Sequence, residues 1–128
     1  MRVFKTRGFA RFVRAEQITD DSLCDAIDRA ERGIIDADLG GGLIKQRVAR
    51  RGQGRSGGYR MILAYRVRNR AVFLFGFPKS ERDNIGPALL AKLRAAATEM
   101  LAANQEWIAD AIEDGVLEEV EYGEEIGC

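Results

Sequence analysis

The stretch from Leu43 to Arg82 holds more than half of the positive charges of this chain, in a pattern typical of β-strands. Eleven of its forty residues are Lys or Arg and a single one, Glu81, is acidic, which gives a formal charge of +10 in a chain of net charge zero. Apolar residues alternate with the cations, and a period of two indicates strands rather than a disordered basic tract. A sheet with a cation-rich face is suited to bind a polyanion, most often nucleic acid. The cations are Lys45, Arg47, Arg50, Arg51, Arg55, Arg60, Arg66, Arg68, Arg70, Lys79 and Arg82.

The remaining charge is segregated along the chain. Residues 1–42 have a net charge of −1, whereas residues 83–128 have two basic and eleven acidic side chains, a net charge of −9. Such asymmetry indicates either a solvated acidic face or a segment that shields the basic one. The length of 128 residues predicts one domain over residues 1–128. We expect residues from about 87 to 128 to form an acidic, helical C-terminal extension of it.

Composition excludes several kinds of site. The chain has no histidine, which removes the Ser-His-Asp and Cys-His triads and the commonest zinc ligand. Its two cysteines, Cys24 and Cys128, fit no metal-binding spacing. The amino-terminal residues lack a signal-peptide pattern, and no segment approaches the roughly 20 apolar residues that span a bilayer. The sequence therefore predicts a cytoplasmic protein without a metal, a cofactor or a membrane partner.

The hydrophobic pattern predicts an α+β fold, a small antiparallel sheet with amino-terminal and carboxy-terminal helices packed on it. A short strand is predicted over Arg2–Thr6, followed by a helix from Gly8 to about Glu16. Thr19 is a typical N-cap of a second helix that ends near Gly33. The glycine-rich residues from Asp36 to Gly42 are predicted to form a loop. We expect all the helices to lie on one face of the sheet.

The middle of the chain predicts an antiparallel meander. Its strands are expected over 43–49, 59–68 and 71–77, with a glycine-rich connector over 51–58 and a tight turn at Asn69-Arg70. From Pro87 the pattern is helical, with a break near Asn104 and an end at Gly115. The last stretch, from Val116 to Cys128, fits either a strand or a frayed tail.

Four cations of the meander are candidates for one site. Alternation places Lys45 and Arg47 on the same face of a strand, and antiparallel pairing can bring Arg60 beside them. Lys79 leaves the end of the following strand and can reach the same place. Cations gathered without acids repel one another, so an anion is needed to stabilise the arrangement. The alternative is a solvated basic face that lines no site.

Two other kinds of phosphate chemistry fit less well. The glycine-rich connector lacks the Gly-Lys-Ser/Thr ending of a P-loop. A basic hairpin loop whose Arg51 and Arg55 contact a nucleic-acid backbone suits it better. A metal-dependent nuclease needs several carboxylates, and Glu81 is alone in the basic window.

The run GLIKQRVARRGQGRSGGYRMILAY followed by AVFLFGFPKSERDNI resembles the RelE/ParE superfamily of bacterial type II toxins, and in particular its HigB-like branch. In that branch a Lys-x-Arg strand, a glycine-rich basic loop, Gly-Gly-x-Arg and a Lys-x-Glu turn recur. The segment covers roughly a third of the chain. The resemblance implies a RelE-like fold and a cognate antitoxin protein as partner. RelE-like members cut mRNA on the translating ribosome, whereas ParE-like members poison DNA gyrase.

The resemblance also implies roles for particular residues. Lys45 and Arg47 match the basic strand pair of the RNA-cleaving members, and Arg60 matches the arginine that contacts the scissile phosphate. Lys79 matches the basic residue at the end of the fourth strand. RelE has an arginine directly after that lysine, where this chain has Ser80. The tyrosine that RelE uses shortly afterwards has no counterpart in this sequence.

The preferred hypothesis is a ribosome-dependent mRNA endoribonuclease that inhibits translation and arrests growth. The substrate 2′-hydroxyl attacks the adjacent phosphate without a metal and leaves a cyclic phosphate, with Lys45, Arg47, Arg60 and Lys79 as the catalytic set. The alternatives are a ParE-like gyrase poison and a regulatory nucleic-acid-binding module without chemistry. The expected RNA-binding residues are Arg50, Arg51, Arg55, Ser80 and Arg82.

Overall fold

The computed structural model describes residues 1–50, 54–81 and 84–123, apart from the side chains of residues 54–56. In this part of the chain six strands form one mixed sheet in the order β2-β3-β4-β5-β1-β6, together with four helices. The α+β class is therefore confirmed. The elements are β1 (Arg2–Thr6), α1 (Arg7–Glu16), α2 (Asp20–Glu31), β2 (Ala37–Gly40), β3 (Leu43–Arg50), β4 (Gly54–Arg66), β5 (Arg70–Pro78), α3 (Pro87–Ala102), α4 (Gln105–Glu113) and β6 (Leu117–Val120).

The meander of β3, β4 and β5 is antiparallel, as the sequence predicts. The sheet as a whole is mixed, because β1 lies parallel to β5, with Val3 opposite Ala71 and Phe4 opposite Val72. Val3 and Phe4 are both fully buried although they point to opposite faces of the sheet. β1 is therefore an interior strand that needs cover on both sides.

Helices cover both faces of the sheet, so the expectation that they share one face was wrong. α1 and α2 pack on one side, which we call the α1 face, and α3 and α4 pack on the other, the α3 face. The reason is that β1, β4 and β5 carry apolar side chains on both faces, and each fully buried large side chain contributes about 1.5–3 kcal/mol. None of the described helices is both long and apolar enough to cross a membrane.

The segment predicted as a loop from Asp36 to Gly42 contains an edge strand instead. β2 pairs with β3, with Ala37 opposite Lys45, and the chain then turns through Gly40, Gly41 and Gly42 at φ values of 84°, 65° and 82°. These left-handed conformations favour glycine, which explains the composition of the turn. Because of this glycine-rich composition, the sequence pattern did not predict β2, a strand of four residues.

The helix ends agree with the sequence signals. The Thr19 side chain accepts a hydrogen bond from Ser22 N at the start of α2, and Asn104 Oδ1 accepts one from Trp107 N, at 2.8 Å, at the start of α4. Gly115 follows α4 with φ +75°, as expected for a residue that ends a helix. Cys24 is buried in the core beneath α2.

The stretch after Val116 forms β6, antiparallel to β1. Arg2 Nε and Nη2 each donate to a Glu119 carboxylate oxygen at 2.9 Å across this pair. These hydrogen bonds hold the pKa of Glu119 below its ordinary value. The segment predicted as an acidic extension thus contributes α3, α4 and an edge strand to the described fold, and residues 124–128 lie outside the described residues.

Gly58 allows β3 and β4 to approach closely where the meander carries most of its candidate site residues. A Cβ atom at this position would lie 2.2 Å from Val48 O and 2.6 Å from Arg50 N. Both atoms belong to the backbone of β3, so a side chain cannot be accommodated by a rotamer change. The pairing of β3 with β4 shifts register between Val48 and Arg50, beside this contact.

We expect Gly58→Ala to lower the free energy of unfolding by about 1–3 kcal/mol, because the backbone of β3 must move. The matched control is Gly8→Ala, since a Cβ at Gly8 meets nothing within 4 Å. That change lies in α1 and is expected to leave stability unchanged or to raise it by roughly 0.5–1 kcal/mol. Urea unfolding of both variants checks the prediction, and equal midpoints would contradict it.

Candidate nucleic-acid interface

Three of the predicted site residues share one face of the sheet. In the pairing of β3 with β4, Arg47 lies opposite Arg60, and Lys45 lies opposite Ile62. Residues two apart on a strand point to the same side, so Lys45, Arg47 and Arg60 all belong to the α3 face. We call these three residues the basic cluster.

The Arg47–Arg60 pair is electrostatically costly in isolation, because like charges directly opposite each other on neighbouring strands repel. Arg60 is only 4% exposed, and its Nη1 donates to Tyr59 O at 3.4 Å. Arg47, by contrast, is exposed. The exposed guanidinium of Arg47 therefore presents N–H donors that an anion can contact from solvent, beside the buried guanidinium of Arg60.

Lys79 and Ser80 lie at the same end of the sheet as Arg60. Pro78, the last residue of β5, is opposite Tyr59, and Lys79 N donates to Gly58 O at 2.9 Å. Both Lys79 and Ser80 are exposed. The turn after β5 is therefore adjacent to the part of β4 that presents Arg60.

Three cations at this end of the sheet lack an acidic partner in the described part of the chain. There, no carboxylate oxygen lies within 4.0 Å of the charged nitrogens of Lys45, Arg47 or Lys79. Lys45 Nζ instead donates to the neutral Asn84 Oδ1 at 2.9 Å. Across residues 1–50, 54–81 and 84–123 there is no group of three or more Cys, Asp or Glu side chains that could hold a metal ion. The chemistry that these side chains can offer is anion binding and proton transfer.

Not every cation of the basic window joins the cluster. Arg50 Cζ lies 5.5 Å from the centre of the Tyr59 ring, and Tyr59 belongs to the core of the α1 face. Arg50 therefore lies on the opposite side of the sheet from Arg47. Arg51, Arg82 and the side chain of Arg55 lie outside the described residues.

Arg66 and Arg70 have a structural role at the far end of the meander. Arg66 Nη1 donates to Leu101 O at 2.9 Å, and Arg70 Nη1 donates to Met100 O and Ala103 O, each at 2.8 Å. These carbonyl groups end α3, whose last turn contains no basic residue. Both arginines thus donate to carbonyl groups that have no partner within the helix. Their positive charges also interact favourably with the negative end of the helix dipole. Burial, together with the nearby guanidinium groups of Arg2 and Arg66, lowers the pKa of Arg70.

The backbone of β3 beneath the cluster is fixed by Gln46, which sequence analysis did not identify. Gln46 is fully buried, and its Nε2 donates to Ala26 O and Ile34 O, each at 3.0 Å. Its Oε1 accepts a hydrogen bond from Asp36 N at 2.8 Å. The available sequence signal was a polar residue at a strand position where the alternating pattern predicts an apolar one.

Asp36 completes this support. Its Oδ2 accepts hydrogen bonds from Arg47 N at 2.7 Å and from Arg29 Nη1 at 3.2 Å. Arg29 is buried, and its Nη2 also donates to Arg47 O. The main chain of Arg47 is therefore held on both its N–H and its carbonyl oxygen, while its side chain points to the other face.

All three tyrosines of the chain lie away from the cluster. Tyr59 OH donates to Glu16 Oε1 at 3.0 Å, Tyr65 OH donates to Glu31, and both rings belong to the core of the α1 face. Tyr122 packs against the same core. Burial is the main cause that raises the pKa values of Tyr59 and Tyr65, and the adjacent carboxylates add to it. The phenols are packed and hydrogen-bonded, as the sequence pattern indicated for Tyr65.

The fold agrees with the comparison to known families. A family model described as the RelE toxin of the RelE / RelB toxin-antitoxin system matches residues 1–120. The chain belongs to this RelE toxin family, so it is a toxin of a toxin-antitoxin system and has an antitoxin as partner. Toxins of this family are generally endoribonucleases. No curated protein matches the chain.

We expect Gln46→Leu to lower the free energy of unfolding by about 2 kcal/mol, because it removes the hydrogen bonds of a fully buried side chain to three backbone groups. Gln105→Leu is the matched control. Gln105 is exposed at the start of α4, and its replacement is expected to change stability by no more than about 0.5 kcal/mol. Chemical denaturation of the two variants tests this, and similar losses would show that Gln46 does not support β3.

Proposed function

We propose that this toxin is a ribosome-dependent endoribonuclease of the HigB-like branch, which cleaves mRNA without a metal ion. The observation that carries the proposal is the Arg47–Arg60 pair with Lys45 on the same face of the sheet. Two guanidinium groups opposite each other suit a phosphodiester, since each can donate two N–H groups to its oxygens. A lysine beside them supplies a group that can accept a proton.

In the proposed reaction the substrate 2′-oxygen forms a bond to the adjacent phosphorus, and the bond from phosphorus to the 5′-oxygen breaks. Lys45, as the neutral amine, accepts the proton of the 2′-hydroxyl. Arg47 and Arg60 bind the non-bridging oxygens and stabilise the charge that develops on them. Lys79 anchors a phosphate or supports the leaving 5′-oxygen, which takes up a proton. The products are a 2′,3′-cyclic phosphate and a free 5′-hydroxyl.

We attribute the proposed requirement for the ribosome to the small number of proton-transferring groups in the site. Without histidine, the chain has no side chain whose ordinary pKa lies near neutral pH. Holding a 2′-hydroxyl in line with its phosphate supplies a large part of the barrier reduction, and the ribosome can provide that geometry. The 2′-hydroxyl also restricts the reaction to RNA. We place the reaction in the cytoplasm, where mRNA is translated, and we propose Arg50, Arg51, Arg55, Ser80 and Arg82 as contacts to RNA.

We expect Lys45→Arg and Arg60→Lys to reduce mRNA cleavage by about 100-fold or more, because proton transfer and oriented charge are lost while the net charge is kept. An arginine at position 45 retains the phosphate contact but cannot act as a base. Primer extension on one mRNA in a translating extract measures the effect. Growth arrest on induction is expected to disappear in parallel.

The control for this experiment is Arg68→Gln, which removes one positive charge in the turn after β4, away from the cluster. Its cleavage is expected to equal that of the wild type. Thermal unfolding establishes that all the variants are folded. Full activity of both Lys45→Arg and Arg60→Lys would remove the site assignment.

The second candidate is a gyrase poison of the ParE type. It is favoured by the position of the three tyrosines on the α1 face and by Ile85, which packs against the core of the α3 face. Among the described residues, no tyrosine hydroxyl therefore lies beside the basic cluster. DNA damage with intact mRNA after induction would support this candidate. Salt-sensitive RNA binding on ribosomes without a cleaved product would instead support a module that only binds nucleic acid.

A further inference from the structure

We propose that Asn84 is a positioning residue that orients the Lys45 amine for proton abstraction from the 2′-hydroxyl. The inference rests on the proposed function and assigns a role within the same site to a residue outside the basic cluster. Its basis is the hydrogen bond from Lys45 Nζ to Asn84 Oδ1, at 2.9 Å. This bond joins β3 to the connection between β5 and α3, 39 residues further along the chain.

The connection holds Asn84 in place from its carboxy-terminal side. Ile85 is half-buried and packs against the core of the α3 face. Gly86 is the N-cap of α3, and its carbonyl oxygen accepts a hydrogen bond from Leu90 N at 3.0 Å. Because the residues directly after Asn84 are fixed to the helix and its core, the backbone of Asn84 is held on its carboxy-terminal side, and the bond to Lys45 Nζ orients its carboxamide.

The chemistry of the pair suits a base better than a carboxylate partner would. A neutral lysine amine has two N–H groups and one lone pair, and it rotates freely unless an acceptor engages an N–H. Donation to Asn84 Oδ1 removes that freedom and leaves the lone pair available for the 2′-hydroxyl proton. A carboxamide is neutral, whereas a carboxylate would favour the ammonium form and oppose proton abstraction. An asparagine at this position therefore orients the amine without placing a negative charge beside it.

Charged groups approach Lys45 from several elements. Arg47 lies two residues along on β3 and Arg60 lies opposite it on β4. On β2, Ala37 is the partner of Lys45, and the neighbouring Asp38 uses its Oδ1 to accept a hydrogen bond from Gly40 N. Among the described residues, the neighbouring elements carry further charged side chains. Asp36 binds Arg29, and Arg94 of α3 donates to Leu39 O. Lys79 and Glu81 lie in the turn after β5. Within the described part of the chain, Lys45 Nζ donates to the neutral Asn84 and forms no ion pair with these acids.

The test compares Asn84→Ala and Asn84→Asp with the wild type in single-turnover cleavage of a defined mRNA on translating ribosomes, over a range of pH. Asn84→Ala is expected to lower the rate at saturating ribosome concentration roughly 10- to 100-fold, with the half-saturating concentration unchanged, because the base is no longer oriented. In Asn84→Asp the new carboxylate favours the protonated amine, so the acid limb of the pH–rate profile is expected to move upward by about one pH unit or more. The matched control is Asn69→Asp, the same change in the turn after β4, which is expected to leave rate and profile as in the wild type.

Each outcome decides between the positioning role and its rivals. A rate of Asn84→Ala equal to the wild-type rate overturns the inference. So does an Asn84→Asp profile that is lowered by one factor at every pH, since a merely structural residue would behave in that way. Thermal unfolding of the variants excludes a folding defect as the cause of a lower rate. Absence of cleavage by the wild type would instead overturn the proposed function and this inference with it.

Discussion

The register between β3 and β4 is the constraint on which the site depends. It brings Arg47 opposite Arg60, a pairing that repulsion disfavours, and it has to be imposed by groups elsewhere. On the α1 face the hydrogen bonds of Gln46 and Asp36 fix the backbone of β3, and Gly58 permits the close contact beside which the pairing shifts register. The cations on one side are therefore held in place by uncharged and ion-paired groups on the other.

A sheet covered on both faces makes this division possible. On the α1 face, hydrophobic packing with α1 and α2 surrounds the buried Gln46 and Arg29. On the α3 face, α3 and α4 cover the apolar residues nearer to β1, whereas the Arg47 side chain is exposed. The stability of the domain and the chemistry proposed for it thus occupy different sides and different ends of the same strands.

The sequence predicted the elements with local signals and missed those that depend on distant contacts. Thr19, Asn104 and Gly115 marked helix ends correctly, because capping is decided within one turn of the helix. β2 was missed because its glycine-rich surroundings read as a loop, and its pairing with β3 involves residues that follow the turn. The cover on both faces was missed because alternation shows which side of a strand is apolar but not which helix will reach it.

For the candidate site, alternation was sufficient to group Lys45 with Arg47, and antiparallel pairing was sufficient to bring Arg60 to them. The remaining partners could not be predicted. Asn84 meets Lys45 only because α3 fixes the preceding connection, and Arg29 reaches the backbone of Arg47 from another layer. Hydrogen bonds between elements far apart in sequence leave no periodic signal. Asn84 and Arg29 could therefore not be predicted as partners before the topology was known.

Arg66 and Arg70, which donate to the last carbonyl groups of α3, affect how mutational surveys of this toxin are interpreted. Removal of Arg70 leaves two helix-terminal carbonyl groups without this donor, so we expect the protein to lose toxicity by becoming less stable and less abundant in the cell. Selection for surviving cells would then recover Arg70 substitutions beside those of the residues proposed to bind the phosphate, although the two kinds of substitution act on different properties. Measurement of intracellular protein abundance distinguishes these two kinds of substitution. The loss of a positive charge does not distinguish them, because it is common to both.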